Sequence, residues 1–256
     1  MSTDIFRRVL SEVSPAAHTM QFYFQGEPLL NKHLPEMIAL AHGQGLYTIV
    51  STNAQALTPD LAKALTEAGL SKIIVSIDGF SQASYAAYRQ GGNLQKALDG
   101  LRYLRQAKSH RHPRIELQVL RLKSNEQEWT WIRHHFRKLG ADCLSMKTAQ
   151  FYDFEHGNPL MPSEERYCRY RKGEDGLYHL KRKVQRHFSC KRLWTGCVIT
   201  TTGEVLPCCY DKAAAYSFGN LLQEDLASVF HSEKAQSFRR RVLSNTPVDI
   251  CHNCWR

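Results

Sequence analysis

Four of the chain's eight cysteines, Cys190, Cys208, Cys251 and Cys254, fall at spacings that suit a metal centre. Four residues separate Gly203 from Cys208, and two separate Cys251 from Cys254. Thiolates are soft ligands that select zinc or iron–sulfur clusters. A Cys-x-x-Cys pair places two sulfurs on one tight turn, and two more from a distant hairpin complete a tetrahedral set. Cys143, Cys168 and Cys197 stand apart from this pattern and read as small buried hydrophobes. Trp194 is expected in the core and His252 toward solvent.

The elements that must carry these residues follow from periodicity. In the first half, apolar strands alternate with amphipathic helices. Helices are expected over 4–13, 34–42, 59–68, 94–106 and 127–139, with Thr58 capping the third ahead of Pro59. Strands are expected over 19–24, 47–52, 72–77, 114–120 and 143–147. The run from Lys72 to Ile77 is almost continuously apolar, as a buried parallel strand requires. Five strands with helices between them make an α/β fold with a right-handed parallel sheet or partial barrel. A complete eight-stranded barrel needs about 250 residues. The alternation fades over 151–189, which is expected to be a connector. A hairpin follows over 196–209, turning at Thr202-Gly203, and residues 226–243 are expected to be mostly helical. The expected division is 1–150, 151–189 and 190–256.

The chain has 256 residues, a net charge of +10 and a pI near 9.3. No apolar run approaches the ~18 residues of a membrane span. The N-terminus has no signal-peptide core. The cysteines are therefore expected to be reduced and the chain cytoplasmic, where clustered cysteines suggest metal before disulfide. Basic residues collect over 102–121, 181–191 and 239–241. They lack the aromatic interleaving of nucleic-acid binders, so a solvated surface is expected rather than a nucleic-acid partner.

Three further stretches lie in order at the ends of successive strands: Gln25-Gly26-Glu27-Pro28-Leu29-Leu30, Ser51-Thr52-Asn53 and Val75-Ser76-Ile77-Asp78-Gly79. Together they resemble the radical S-adenosylmethionine (AdoMet) enzymes. The C-terminal third is similar to the SPASM domain through Cys190-Lys191-Arg192-Leu193-Trp194, Gly203 to Asp211, Phe218-Gly219-Asn220-Leu221 and Cys251-x2-Cys254. The resemblance covers nearly the whole chain. It implies a partial parallel (β/α) barrel of the radical SAM type with a small C-terminal iron–sulfur (SPASM/twitch-like) domain.

It also implies site residues. Gly26, Glu27 and Pro28 would form the turn that receives the amino group of AdoMet, with Glu27 either offering its charge or fixing the turn. Thr52, Asn53, Ser76 and Asp78 would line the cofactor, the last two near its ribose or carboxylate. Gln118 on the next strand could face it. Cys190, Cys208, Cys251 and Cys254 would hold an auxiliary [4Fe–4S] cluster, with Cys208 rather than Cys209 as ligand from its spacing to Gly203.

The family's Cys-x3-Cys-x2-Cys loop, which holds the AdoMet-chelating cluster, has no counterpart here, since the first cysteine is Cys143. That loop and its strand would lie upstream of Met1, so reductive cleavage of AdoMet is not expected of these residues alone. A full-length form would cleave AdoMet and abstract hydrogen from a substrate, with a peptide or protein the first substrate class and a protein the electron donor. The alternative is a non-catalytic protein, stabilised by a cluster or zinc, that binds a peptide or partner. Phosphate-binding loops and a Gly-x-Ser-x-Gly elbow do not occur.

Overall fold

The computed structural model describes residues 1–109, 111–181, 190–244, 246 and 248–254. It divides into two compact units, His18–His179 and a second that joins Met1–Ala17 to Leu180–Arg256. The helix α1 (Thr3–Val13) belongs to the second unit. Ser2 caps it by accepting from Ile5 N, and its apolar stripe buries Phe6, Val9, Leu10 and Val13.

The first unit is a sheet of five parallel strands in sequential order. Its elements are β1 (Thr19–Gln21), α2 (Leu34–Gly43), β2 (Tyr47–Thr52), α3 (Pro59–Glu67), β3 (Lys72–Ser76), α4 (Gln82–Ala86), α5 (Leu94–Ala107), β4 (Arg114–Arg121), α6 (Trp129–His135) and β5 (Cys143–Thr148). The expected βα repetition is present. Thr58 caps α3 as its sequence implies, accepting from Leu61 N at 3.2 Å.

Alternation along the strands sorts the sheet's two faces. Val50, Ile73, Val75, Ile115, Leu117 and Val119 join Ile38, Leu65, Leu101 and Ile132 of the helices in one buried core. On the opposite face the register runs Ser51, Ile74, Glu116, Cys143, and then Ser76, Gln118, Ser145. Gln118 thus shares the polar face with Ser76. A Lys72–Glu116 ion pair at 2.6 Å closes the lower end of that face.

Several expected elements differ. The first strand is shorter, because the chain bends after Gln21 into the loop that carries Gly26. The expected helix over 127–139 is a 3-10 turn (Lys123–Glu128) followed by α6. Asn125 in that turn is 1% exposed and is held by four hydrogen bonds, so the chain cannot wind freely there. The segment after β5 contains a small pair, β6 (Tyr170–Lys172) and β7 (Tyr178–Leu180).

In the second unit, α7 (Arg192–Thr195) leads into β8 (Val198–Ile199), β9 (Glu204–Leu206) and β10 (Gly219–Asn220), an antiparallel sheet. The hairpin turns where expected. Gly203 has φ +86, and a Cβ there would stand 2.6 Å from Asn220 Oδ1, so glycine is required on both counts. Residues 226–243 are mostly helical as expected, in two helices, α8 (Leu226–Phe230) and α9 (Glu233–Leu243). Ser232 separates them by capping α9 through Ala235 N while its hydroxyl donates to Phe218 O. Trp194 is 45% exposed, so the core position expected for it falls instead to its neighbour Leu193, at 3%. Of the basic run over 181–191, residues 182–189 lie outside the described residues.

Candidate functional site

The C-terminal ends of β2 and β3 and the loop after β1 surround a cavity of about 210 Å³. It is lined by Tyr23, Phe24, Gly26, Glu27, Ser51, Thr52, Asn53, Ser76 and Arg89. Five of the seven cofactor residues expected from the sequence meet here: Gly26, Glu27, Thr52, Asn53 and Ser76. Pro28 opens the adjoining 3-10 turn Pro28–Leu30, and Asp78 stands behind the wall. Gly26 has φ +75, with open space where a Cβ would project. A side chain there would be strained by the backbone conformation.

Glu27 braces the turn. Its Oε1 accepts from Leu29 N at 3.1 Å and from the Thr52 hydroxyl at 2.7 Å. Its Oε2 accepts from Asn53 N at 2.8 Å. Thr52 Oγ1 accepts in turn from Ala54 N at 2.9 Å, where the backbone turns through φ +58. Asn53 Oδ1 holds Gln55 N at 2.9 Å. One carboxylate thereby locks two loops into one wall. Hydrogen bonds to a charged group contribute about 1.5–3 kcal/mol each.

Asp78 is fully buried. Its Oδ1 accepts from Leu120 N at 2.6 Å, and its Oδ2 accepts from Arg89 Nε at 2.7 Å and Arg89 Nη2 at 2.6 Å. Burial pushes its carboxyl up, while Arg89 and the Leu120 N–H pull against that rise. Its carboxylate is therefore spent on Arg89 and β4. Arg89 lines the cavity and carries five N–H donors, of which Asp78 takes two.

A supporting lattice fixes the loop between β3 and α4. Asn125 Nδ2 donates to Asp78 O at 3.0 Å and Leu120 O at 2.8 Å. Glu128 accepts from Phe80 N, Ser81 N and the Ser84 hydroxyl at 2.8, 3.1 and 2.7 Å. Gln55 Nε2 reaches Tyr85 Oη at 3.1 Å and Asn93 O at 2.9 Å. Arg89, Asn125, Glu128 and Gln55 carry no sequence motif. Only a fold that brings residues 11 to 48 positions apart into contact reveals them.

In the second unit, Cys190, Cys208, Cys251 and Cys254 are all free and partly buried. Burial pushes the Cys251 thiol up to about 11, and the neighbouring charges of Cys208, Cys254 and Cys190 add to the rise. Cys208 is raised by burial first and then by Cys209 and Cys190. The four sulfurs thus share one electrostatic neighbourhood. Among the described residues, no three His, Cys, Asp or Glu side chains form a site for a single metal ion. Four free thiols are the donor type that zinc and iron–sulfur clusters take.

Cys209 accepts a contact from Arg192 Nη1 at 3.2 Å. Cys197 is pushed up to about 11 by burial alone, Cys168 is buried, and His252 is exposed.

A parallel sheet with a polar cavity at its strand ends, joined in one chain to a four-thiol unit, defines the class. The radical SAM superfamily model matches residues 7–127, and that of the iron–sulfur cluster-binding SPASM domain matches residues 190–255. The chain belongs to the radical SAM superfamily and carries a C-terminal SPASM domain. Iron–sulfur binding and AdoMet cleavage are the chemistry of that family.

Among its relatives is the tungsten-containing aldehyde ferredoxin oxidoreductase cofactor-modifying protein of Pyrococcus furiosus. It is 24% identical over 99% of this chain and 79% of its own length. The PqqA peptide cyclase of Rhodopseudomonas palustris is 36% identical over 64% of this chain, a match that spans only 43% of that relative. A solved structure of anSMEcpe with bound AdoMet and Kp18Cys peptide shares the fold at a TM-score of 0.68. That match has 14% identity and covers 99% of this chain and 80% of that one.

Proposed function

We propose that residues 18–179 bind AdoMet in the cavity at the strand ends and that Cys190, Cys208, Cys251 and Cys254 hold one auxiliary [4Fe–4S] cluster. The cavity carries this reading, because five residues from three separate loops meet there with one guanidinium. In it the Gly26–Pro28 turn faces the amino group, Thr52, Asn53 and Ser76 contact the body of the ligand, and Arg89 receives the carboxylate. Asp78 acts through Arg89 by fixing its fork. When bound, AdoMet supplies a carbon-centred radical after one-electron reduction at an iron–sulfur cluster. Three closely spaced thiolates for that reducing cluster are not among residues 1–256. What these residues do is orient AdoMet, exclude water behind it and hold the second cluster.

The substrate class we propose is a peptide, supported by the likeness to the PqqA peptide cyclase and by the peptide in the anSMEcpe structure. The polar row Ser76, Gln118 and Ser145 is the surface that would face it, and an electron-donor protein completes the scheme.

The test is iron, sulfide and zinc content of the anaerobically reconstituted chain, with equilibrium dialysis against labelled AdoMet. About four irons and four sulfides per chain are expected. They should be lost in Cys190→Ser, Cys208→Ser, Cys251→Ser or Cys254→Ser and kept in Cys143→Ser and Cys168→Ser. Arg89→Ala should weaken AdoMet binding at least tenfold, the scale of a lost charge-assisted pair. One zinc without sulfide would overturn the cluster assignment. Unchanged AdoMet binding in Arg89→Ala would overturn that of the cavity.

A further inference from the structure

The basic run at the end of α9 does not behave as one solvated face. Arg240 pairs with Glu233 at the surface. Arg239 is only 9% exposed and has no carboxylate partner among the described residues. Its Nε donates to Leu193 O at 3.1 Å and its Nη1 donates to Phe230 O at 2.6 Å. Its Nη2 is buried with no hydrogen-bond partner among the described residues. The guanidinium carbon lies 4.4 Å from the ring centre of Phe230 and 5.9 Å from that of Phe218. Aromatic faces attract a cation but do not neutralise it. Burial lowers the pKa of Arg239, and no acid opposes the effect.

A buried cation without a counter-charge is costly unless something nearby is anionic. The contacts of Arg239 tie it to the helix that follows the first cysteine of the quartet. Leu193, whose carbonyl Arg239 holds, donates its own N–H to Cys190 O at 3.1 Å. The guanidinium therefore stands two hydrogen bonds from the backbone of the first cysteine of the quartet. Four thiolates around an iron–sulfur core of lower positive charge leave the assembly anionic.

We propose that Arg239 is the buried counter-cation of the auxiliary cluster, a positioning residue that fixes the Cys190 turn and eases reduction of the cluster by its charge. The inference rests on the cluster reading above. It goes beyond that reading by assigning a role to a residue that ligates nothing. A fixed positive charge near a cluster favours the reduced form, which carries one more negative charge. Hydrogen bonding and charge around the ligands are established levers on cluster potential. The fork also holds α7 and the end of α8 together, so it links the turn that starts the ligand set to a helix far along the chain.

The experiment uses the whole chain, reconstituted without oxygen, in three forms: wild type, Arg239→Met and Arg239→Lys. Methionine keeps the stem between Phe218 and Phe230 and removes the charge, whereas lysine keeps the charge and loses the fork. Two readouts are taken: the midpoint potential from a redox titration followed by electron paramagnetic resonance, and the rate of iron loss to a chelator. Arg239→Met should shift the potential to more negative values and lose iron about tenfold faster, the scale of an outer partner's removal. Arg239→Lys should keep the wild-type potential while retaining iron less well.

A folded Arg239→Met with the wild-type potential overturns the role, since a packing defect alone would change retention and leave the potential in place. If Arg239→Met does not fold, Arg239→Gln replaces it, and a wild-type potential there is equally decisive. A wild-type chain that holds no iron and sulfide overturns the cluster reading itself, and the role of Arg239 with it.

Discussion

Glu27 shows how little a residue's type says about its task. An acid beside a cofactor cavity invites the role of ligand, yet its two oxygens are occupied by Leu29 N, the Thr52 hydroxyl and Asn53 N. Glu27→Gln would turn an amide NH2 toward one of those donors and leave a partly buried N–H or O–H without an acceptor. We expect a stability loss of about 1–3 kcal/mol in urea unfolding, with weaker AdoMet binding as a consequence. A direct ligand role predicts the reverse: unchanged unfolding and a loss confined to affinity. Arg89 is the complementary case. A surface arginine by sequence, it becomes the cationic pole of the cavity because buried Asp78 grips two of its donors.

Between elements, Asp142 ties the last turn of α5 to the start of β4. Its Oδ2 accepts from Ile115 N at 2.7 Å and Lys108 Nζ at 2.5 Å, and its Oδ1 accepts from Arg105 at 3.2 Å. Burial pushes its carboxyl up, but the Ile115 N–H and the two cations outweigh that and hold it below the ordinary carboxylate range. A folded value below the unfolded one, near 3.9, means the stabilisation is present above that pH and is lost as pH falls through the folded value. Asp142→Asn should therefore cost about 1 kcal/mol at neutral pH, a modest figure because the group is partly exposed and screened. The gap between mutant and wild-type melting should close in acid, once the pH falls below the ordinary carboxylate range. A gap that persists there would assign the effect to packing. The same scale explains one element drawn differently from the sequence and one for which the sequence suggested nothing. The 3-10 turn before α6 and the short α4 are held by Asn125 and Glu128 across the sheet, and no local periodicity encodes that.

For the molecule as a whole, the two compact units have separate sources of stability. His18–His179 has a continuous apolar core between sheet and helices. The cysteine unit has a small core, and ligation of metal is coupled to folding in domains of that kind. Stripping iron with a chelator should lower the melting transition of the cysteine unit and leave that of the parallel-sheet unit in place, as scanning calorimetry would resolve. Equal shifts of both transitions would contradict this. Among the described residues, none of the helices is long and apolar enough to cross a membrane.

The amino-acid sequence by itself determined the βα repetition, the capping of α3 by Thr58, the glycine turn at Gly203 and the order of the cofactor-loop residues and cysteines. These depend on contacts a few residues apart or on spacings that survive any packing. The tertiary structure alone decided that Glu27 is a brace, that Asp78 is buried behind Arg89, that Trp194 faces solvent and that Arg239 lies inside. For Glu27, Asp78 and Arg239 a deciding partner is a backbone group far along the chain: Asn53 N, Leu120 N and Leu193 O. Such groups are nearly identical at every position and become specific only when folding brings them within about 3 Å of a side chain.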